Sequence, residues 1–432
     1  MSNSNIIQQK KSVTITKASI VYFLAALFLC FEMALQISPA VMTPELKSSL
    51  NLTNFSLGVI SGVYFISYTL MQIPSGMMYD RNNICKILTT AIFLCALGSI
   101  SFSMAQGPYT AAISRLFMGI GSAFAFISVL TVSARYFPKK YFALLTGIAQ
   151  LLAALGGVAG GLPIAWLIHA FGWRHVMLIF AGIGFILMLL VLWVFNDLPK
   201  INNKPNNKTT PKQNIFCSLL HIIKSRQHWY AFFYAFFNWA PVIAFASLWG
   251  VPFLKEAYHL SSEQAAGLCS LIWVGIGLTS PIIGGLSDYI KRRNILLGLT
   301  ALIGCISVYF VIYQPHHSIF VLGVLLFLTG VGSAGQILSF AVVQDNTPNK
   351  RISTAIGINN MGVVASGIIF QPLIGKLMMV FNQHHNISNN ISHHINQTLV
   401  FQKALIIVPA SFLMCVLITV FLIKETRCEH QE

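Results

Sequence analysis

The hydrophobic positions of this chain gather into twelve long runs that are separated by short polar segments. Each run approaches or exceeds the roughly 20 apolar residues that a helix needs to cross a bilayer core of about 30 Å. The runs are too long and too uniformly apolar for the strands of a membrane barrel. The pattern predicts an all-α membrane protein with twelve transmembrane helices at about residues 18–41, 57–79, 87–105, 110–134, 142–169, 174–196, 229–254, 265–287, 295–313, 319–343, 353–380 and 401–423.

The polar segments divide the chain into two halves. Residues 197–228 are rich in Asn, Lys and Thr and have little apolar content before Ile215, which is typical of a flexible linker. We therefore expect six helices on each side of this linker. The predicted organisation is a tail at 1–17, a six-helix bundle at 18–196, the linker at 197–228, a second six-helix bundle at 229–423 and a tail at 424–432.

A short charged hairpin recurs in both halves. The segments G-M-M-Y-D-R at 76–81 and G-G-L-S-D-Y at 284–289 each lie between two apolar runs, and other positions repeat at the same offset of 208 residues. The matched pairs are Gly76 with Gly284, Asp80 with Asp288, Pro44 with Pro252 and Leu52 with Leu260. The constant spacing indicates that one unit of six helices has been duplicated.

The pattern G-x-x-x-D-R followed by a basic residue resembles the signature loop of the major facilitator superfamily of secondary transporters. The resemblance covers about residues 18–425, and it implies two pseudo-symmetric halves with the substrate carried between them. It also implies that the hairpins latch one conformational state, with Gly76, Asp80 and Arg81 in the first copy and Gly284, Asp288 and Arg292 in the second. The segment G-S-A-F-A-F at 121–126 is similar to bacterial carriers related to the lysosomal dipeptide transporters.

The charge of the chain indicates its orientation. Only 9% of the residues are charged, although the net charge is +16. With twelve crossings, 21 of the 27 Lys and Arg residues fall on the side that holds both termini. By the positive-inside rule both termini are cytoplasmic, and the basic charge does not indicate a nucleic-acid partner.

No pattern in the sequence indicates a cofactor, a metal site or an enzyme. The eight cysteines include no C-x-x-C pair, and no nucleotide-binding loop is present. The histidine pairs at 384–385 and 393–394 lie in an Asn-rich segment without nearby acids or cysteines, so we expect a solvated loop there.

Two charged residues within the apolar runs are the first candidates for function. A carboxylate in mid-span is costly, so Glu32 should face a cavity or a partner, and Gln36 follows it by one helical turn. Glu32 is a candidate for proton coupling or for binding a substrate amine. Arg115, near the start of the fourth run, is a candidate for binding a carboxylate or for controlling the proton affinity of Glu32. The two together would suit a zwitterion, but they could also pair only with each other.

Uncharged polar residues in the second half are further candidates for solute binding. They are Asn238 and Trp239 in the seventh run, Gln336 in the tenth, and Asn359 and Asn360 in the eleventh. Each amide could instead hydrogen-bond a neighbouring helix.

The sequence therefore predicts a secondary active transporter in the bacterial inner membrane. Its expected partners are a small organic solute of the amino acid, short peptide or organic anion class, protons and the lipid bilayer, and we expect it to function as a monomer. Symport and antiport both remain open. The alternative is a proton-driven efflux antiporter for drugs or siderophore-type compounds, which the aromatic-rich seventh run would suit.

Overall fold

The computed structural model describes residues 15–81, 84–137, 142–196, 222–315, 318–347, 352–386 and 393–426. All regular secondary structure in these ranges is helical, and eleven segments are long and apolar enough to cross a membrane. The prediction of an all-α membrane protein is confirmed. One of the eleven segments, Ile148–Val194, has 47 residues and is interrupted by Gly172, which has a φ of 77°. The outer parts of both predicted tails and linker residues 197–221 lie outside the described ranges.

The described part of the first half contains nine α-helices. They are α1 (Ile15–Ile37), α2 (Thr43–Ser49), α3 (Asn54–Arg81), α4 (Ile84–Ser103), α5 (Pro108–Ser122), α6 (Ala125–Tyr136), α7 (Phe142–Ala159), α8 (Leu162–Phe171) and α9 (Trp173–Asn196). A 3₁₀ turn, Ser38–Ala40, follows α1 and contains Pro39. Since proline lacks the N–H that an α-helix interior requires, α1 ends before it.

The described part of the second half contains a further nine α-helices. They are α10 (Arg226–Pro241), α11 (Gly250–Tyr258), α12 (Ser262–Ile290), α13 (Arg293–Tyr313), α14 (Ile319–Ala334), α15 (Ile337–Asp345), α16 (Ile352–Asn386), α17 (His393–Ala404) and α18 (Ile407–Phe421). A π-helical segment, Val242–Trp249, joins α10 to α11 and is buried along its whole length.

The structure repeats the same helix contacts in both halves, as expected from a duplication. Gly119 in α5 packs against the Tyr64 carbonyl in α3, and Gly330 in α14 packs against the Ile272 carbonyl in α12. Tyr64 and Ile272 are 208 positions apart. A Cβ at either glycine would overlap these backbones, so the small residue allows the two helices to approach closely.

The fourth and tenth predicted runs are each two helices instead of one. α5 ends at Ser122 and α6 begins at Ala125, whereas α14 ends at Ala334 and α15 begins at Ile337. The breaks lie at 123–124 and 335–336, in each case at the end of a G-x-G-S-A sequence. The duplication therefore extends to the position at which a helix is interrupted.

The helix ends meet at two faces of the molecule. At the face where α1 begins and α18 ends, here called the terminal face, the Gln227 amide donates to the Leu422 carbonyl at 3.1 Å and Asn294 donates to the Ile423 carbonyl at 2.7 Å. At the opposite face, Arg174 donates to the Ala105 carbonyl at 2.8 Å. Between these faces the halves pack along two seams, α3 with α16 and α7 with α12.

Candidate functional site

A cavity of about 70 Å³ lies between the two halves. Eight of its lining residues come from the first half and eight from the second. They are Leu29, Met33, Gln36, Phe65, Tyr68, Phe126, Gln150 and Ala153 from the first, and Trp239, Ile243, Trp273, Gln336, Phe340, Asn360, Val363 and Val364 from the second. A site shared in this way changes shape whenever the halves move relative to each other.

The described lining is mainly apolar, and its polar groups carry no charge. Its amides are Gln36, Gln150, Gln336 and Asn360, and none of the described lining residues is acidic or basic. Four of the residues predicted from the sequence to bind solute reach the cavity, namely Gln36, Trp239, Gln336 and Asn360. The cavity can therefore offer hydrogen bonds but no ion pair.

Aromatic rings form a second component of the lining. The cavity is bordered by Phe65, Tyr68, Phe126, Trp239, Trp273 and Phe340. The rings of Trp239 and Trp273 meet edge to face, with centroids 6.3 Å apart and an interplanar angle of 80°. Such rings present flat apolar surfaces to a bound molecule.

Two hydrogen-bond donors at the cavity have no partner. The indole Nε1 of Trp273 and the amide Nε2 of Gln336 are both buried and bond to no atom of the described residues. By contrast, Asn360 Nδ2 donates to Gln72 Oε1 at 2.8 Å and so links the two halves. Buried donors are usually paired, so the free ones indicate where a ligand could accept a hydrogen bond.

Asn238 and Asn359 do not line the cavity. Asn238 Nδ2 donates to the Gly332 carbonyl at 3.1 Å, and Asn359 Nδ2 donates to the Ser339 hydroxyl at 2.8 Å. Both amides thus bond to neighbouring helices, which is the alternative that the sequence left open for them.

Glu32 belongs to a buried cluster in the first half. The Tyr64 hydroxyl donates to Glu32 Oε1 at 2.5 Å, while Glu32 Oε2 is buried without a partner. The Arg115 guanidinium carbon lies 4.4 Å from the centre of the Tyr64 ring, and Arg115 Nη1 donates to the Leu35 carbonyl at 3.3 Å. Tyr64 therefore lies between the acid and the base, and no direct ion pair joins Glu32 to Arg115 among the described contacts.

This cluster lies behind the cavity wall and does not line the cavity. The Tyr64 ring contacts Phe65 and Tyr68, with centroids 5.1 Å and 5.9 Å apart, and both of these residues border the cavity. Gln36 reaches the cavity although Glu32, four residues before it, does not. A spacing of four residues still turns a helix by about 40° past a full turn, which separates the two side chains here.

The halves are closed against each other by two related contacts. The Phe65 ring packs on Gly367 of α16, and the Trp273 ring packs on Gly157 of α7. We call these the ring–glycine contacts. The rings are 208 positions apart and the glycines 210, so each half supplies one ring and one glycine.

Towards the opposite face both seams continue in close packing. Gly58 of α3 packs against the Gln371 carbonyl of α16, and Gly161, just after α7, packs against the Ser270 hydroxyl of α12. The 3₁₀ turn after α1 also contacts the π-helical segment. The cavity is therefore closed on this side by contacts in which the helices approach each other closely at glycine positions.

The hairpins at the terminal face are packed more loosely. A Cβ at Gly76 or Gly284 would meet no atom within 4 Å. Asp288 is 71% exposed and contacts Arg293 Nη1 at 3.2 Å, while Arg292 is exposed. The side chains of Asp80 and Arg81 lie outside the described part of the structure. The sequence pointed to Arg292 in the second hairpin, but the ion pair that the structure shows there is made by Arg293.

Arg293 also makes a buried ion pair. Its Nε donates to Asp345 Oδ2 at 2.6 Å, and the Thr426 hydroxyl donates to the same oxygen at 2.6 Å. Glu425 accepts hydrogen bonds from the backbone N–H groups of Arg293 and Asn294, both at 3.0 Å. A carboxylate at these first N–H groups of α13 is favourable because they have no partner within the helix.

Sequence reasoning missed several residues that line or support the cavity. Gln150 is an amide within an apolar run, the same signal that identified Gln36 and Gln336. Trp273 was missed as well, although the repeat relates it to Phe65. The sequence does not single out Tyr64, because aromatic residues are common in membrane helices and only the contacts of this one distinguish it.

A helical membrane bundle whose two related halves share one central cavity defines a membrane carrier. The chain belongs to the Major Facilitator Superfamily, whose sequence profile matches residues 22–372 and 244–427. This membership confirms the resemblance noted from the hairpins. The chain is accordingly a transporter and not an enzyme.

Three curated relatives are each less than a quarter identical to the chain over the aligned residues. An uncharacterized transporter of Bacillus subtilis, YybO, is 22% identical over 60% of this chain and 62% of its own length, which is less than two thirds. The "Probable galactarate/D-glucarate transporter GarP" of Escherichia coli is 23% identical over 89% of both chains. A gallate transporter of Pseudomonas putida is 24% identical over 83% of this chain and 84% of its own.

Solved structures show the same fold. A bacterial homologue of the human lysosomal transporter Spinster, in an inward-facing and unoccupied conformation, gives a TM-score of 0.76 at 18% identity and covers 95% of this chain and 97% of that one. A D-xylose–proton symporter gives a TM-score of 0.73 at 15% identity and covers 97% of this chain and 100% of its own.

Proposed function

We propose that the protein is a secondary active transporter that moves a small organic solute by alternating access. The observation that supports this function best is the central cavity, which both halves line equally and which closes through the repeated ring–glycine contacts. A carrier needs such a site because its two halves must expose the solute to each side in turn.

The same proposal includes twelve crossings with both termini in the cytoplasm of a bacterium, in its inner membrane. The 47-residue segment Ile148–Val194 is long enough to cross twice, with the turn at Gly172 between the crossings. The terminal face would then be cytoplasmic, as the excess of basic residues on that side indicates. The seam contacts close the opposite face, whereas a Cβ at Gly76 or Gly284 would meet no atom within 4 Å. This difference supports an arrangement that opens towards the terminal face.

Glu32 is the proposed site of proton coupling. It is a buried carboxyl within a span, and one of its oxygens has no hydrogen-bond partner. The groups that act on it are Tyr64, Tyr68, Cys95 and Arg115. Because Tyr64 contacts two residues of the cavity wall, a movement of α3 during opening would change the hydrogen bond to Glu32 and its access to water.

The hairpins are proposed to latch the outward-open state, as the family resemblance implies. The residues involved are Gly76, Asp80 and Arg81 in the first hairpin and Gly284, Asp288 and Arg292 in the second, to which the structure adds Arg293. A Cβ at Gly76 or Gly284 would meet no atom within 4 Å, which supports hairpins that are not clamped between helices in this arrangement, while Asp288 stays paired with Arg293.

The two buried charges within the spans of the first half, Glu32 and Arg115, are poorly placed to bind a solute. Glu32 and Arg115 lie behind the wall, which does not favour a zwitterion bound between them. Relatives named for galactarate, D-glucarate and gallate transport support an organic anion among the expected classes. Efflux of drugs or siderophore-type compounds is the second candidate, favoured by the six aromatic residues of the cavity lining.

The test of this function is a solute screen in proteoliposomes with and without an imposed pH gradient. We expect a pH gradient to drive accumulation or exchange in the wild-type protein. Glu32→Gln should abolish the response to the gradient and leave membrane insertion intact, because the amide cannot exchange a proton. Glu263→Gln is the matched control, since Glu263 lies at the start of α12, outside the cavity. Full pH-driven transport by Glu32→Gln would remove Glu32 from the coupling mechanism.

A further inference from the structure

The lining of the cavity also restricts the chemistry of the solute. We propose that the cavity binds an uncharged polar solute that has an apolar face, through hydrogen-bond acceptors at the edge of that solute, and that it discriminates against carboxylates. This inference rests on the proposed carrier function and assigns it a neutral solute, in place of the organic anion that the names of the relatives favour. It departs from the organic acids for which several relatives are named.

The first argument is electrostatic. A carboxylate that leaves water needs a counter-charge or several strong donors, and burial without them is costly. None of the sixteen described lining residues is charged. Arg115 does not line the cavity, since its guanidinium stacks on Tyr64 and its Nη1 donates to the Leu35 carbonyl, so it supplies no charge to the lining.

The second argument comes from the unpaired donors. The indole N–H of Trp273 can only donate, so its partner must be an acceptor. Gln336 Nε2 is a second unpaired donor of the same cavity. A solute with hydroxyl or carbonyl oxygens satisfies both donors without bringing a charge into the site.

The third argument is the combination of amides with aromatic faces. Gln36 and Gln150 supply carbonyl oxygens that can accept hydrogen bonds from the solute, and neither side chain has another partner among the described hydrogen bonds. The rings of Phe65, Trp239 and Phe340 supply flat apolar surfaces. Together they suit a molecule that both donates and accepts hydrogen bonds at its edge and is apolar on its face.

The experiment compares solutes that differ in charge but little in shape. The purified full-length protein in detergent is titrated with galactitol against galactarate, and with gallamide against gallate. We expect the neutral member of at least one pair to bind at least about ten-fold more tightly than the corresponding carboxylate. Equal or tighter binding of the carboxylate in both pairs, or no binding by either neutral member, would overturn the proposal.

Variants of the two donors test the site itself. Trp273→Phe and Gln336→Leu should each weaken binding of the neutral solute by about three- to ten-fold, the effect of one lost hydrogen bond. The controls Trp166→Phe, on the exposed surface, and Gln402→Leu, outside the cavity, should bind as the wild type does. Gln336→Arg should gain carboxylate binding, since it supplies the missing charge; a variant that folds and still rejects the carboxylate counts against the electrostatic argument.

The outcome can be separated from that of the carrier function. Transport of a carboxylate but of neither neutral solute in proteoliposomes would overturn the solute class and leave the carrier intact. Binding of the neutral solute without transport of any solute would support the solute class and overturn the carrier function.

Discussion

At the residue scale, the charged side chains occur in two different arrangements, either separated or directly paired. Glu32 and Arg115 are buried and separated by a tyrosine, whereas Arg293 at the terminal face pairs directly with two acids. One of these acids, Asp345, is buried and the other, Asp288, is 71% exposed. A single arginine thus provides a matched comparison of a buried and an exposed ion pair.

We expect Asp345→Asn to destabilise the protein far more than Asp288→Asn. Loss of one partner from a buried pair costs about 3–5 kcal/mol because the other charge stays buried. Loss of an exposed pair costs about 0–1 kcal/mol, since solvent already screens it. Thermal unfolding of both variants in detergent would measure the difference. Similar unfolding temperatures for the two would show that Arg293 is held mainly by its other contacts.

The candidate residues show what a single sequence can predict. Polarity within an apolar run singled out Gln36, Gln336 and Asn360 as candidates, and all three line the cavity, because an amide in a span needs a polar neighbour. The same rule applied to Asn238 and Asn359, whose neighbours proved to be other helices. Composition cannot separate these cases, since a rotation of a few tens of degrees decides which neighbour a side chain meets.

At the element scale, the segment Val242–Trp249 is the least regular part of the described membrane helices. It is π-helical and directly follows Pro241. Gln371 supports it, because its Nε2 donates to the Ile243 carbonyl at 2.9 Å and its backbone carbonyl accepts from Trp249 Nε1 at 3.1 Å. π-Helical segments are rare and are frequent at functional sites, and this one borders the cavity at Ile243.

Gln371→Leu should therefore destabilise the protein by about 1–3 kcal/mol, since the Ile243 carbonyl would be buried without this partner. The lower end is expected, because the variant also removes the unpaired Gln371 Oε1. Trp249→Phe should have a smaller effect of about 0.5–1.5 kcal/mol. Chemical denaturation in detergent is the measurement, and wild-type stability of Gln371→Leu would mean that the π-helical segment does not depend on the Gln371 side chain.

Helix boundaries were also only partly predictable. The apolar runs located the membrane helices, and the repeated hairpin motif made the duplication visible in the sequence itself. The breaks at the ends of α5 and α14 were not predicted, because no proline marks them. They follow glycines whose close packing is a property of the neighbouring helices.

At the scale of the whole molecule, closure of the opposite face depends on small residues at two seams. A Cβ at Gly157 would overlap the Trp273 ring, and one at Gly367 would overlap the Phe65 ring. Gly182 in α9 offers a comparison, because a Cβ there would meet no atom within 4 Å.

Gly157→Ala should shift the protein away from the state in which the opposite face is closed. Overpacking costs about 1–3 kcal/mol, which corresponds to a population change of about 5- to 150-fold. The measurement is the alkylation rate of Ser270→Cys by a membrane-impermeant maleimide, in a background without the native cysteines. The rate should rise with Gly157→Ala and stay unchanged with Gly182→Ala; an equal rate in both would show that the Trp273 ring moves aside at little cost.

The ring–glycine contacts have a consequence for the origin of the chain. Each half carries both members of the pair, Phe65 with Gly157 in the first and Trp273 with Gly367 in the second. A half-length ancestor with one ring and one glycine would thus have been self-complementary. Two identical copies could meet about a two-fold axis, with the ring of each packed on the glycine of the other. Gene fusion then only had to join an existing homodimer, after which each seam was free to acquire its own aromatic residue.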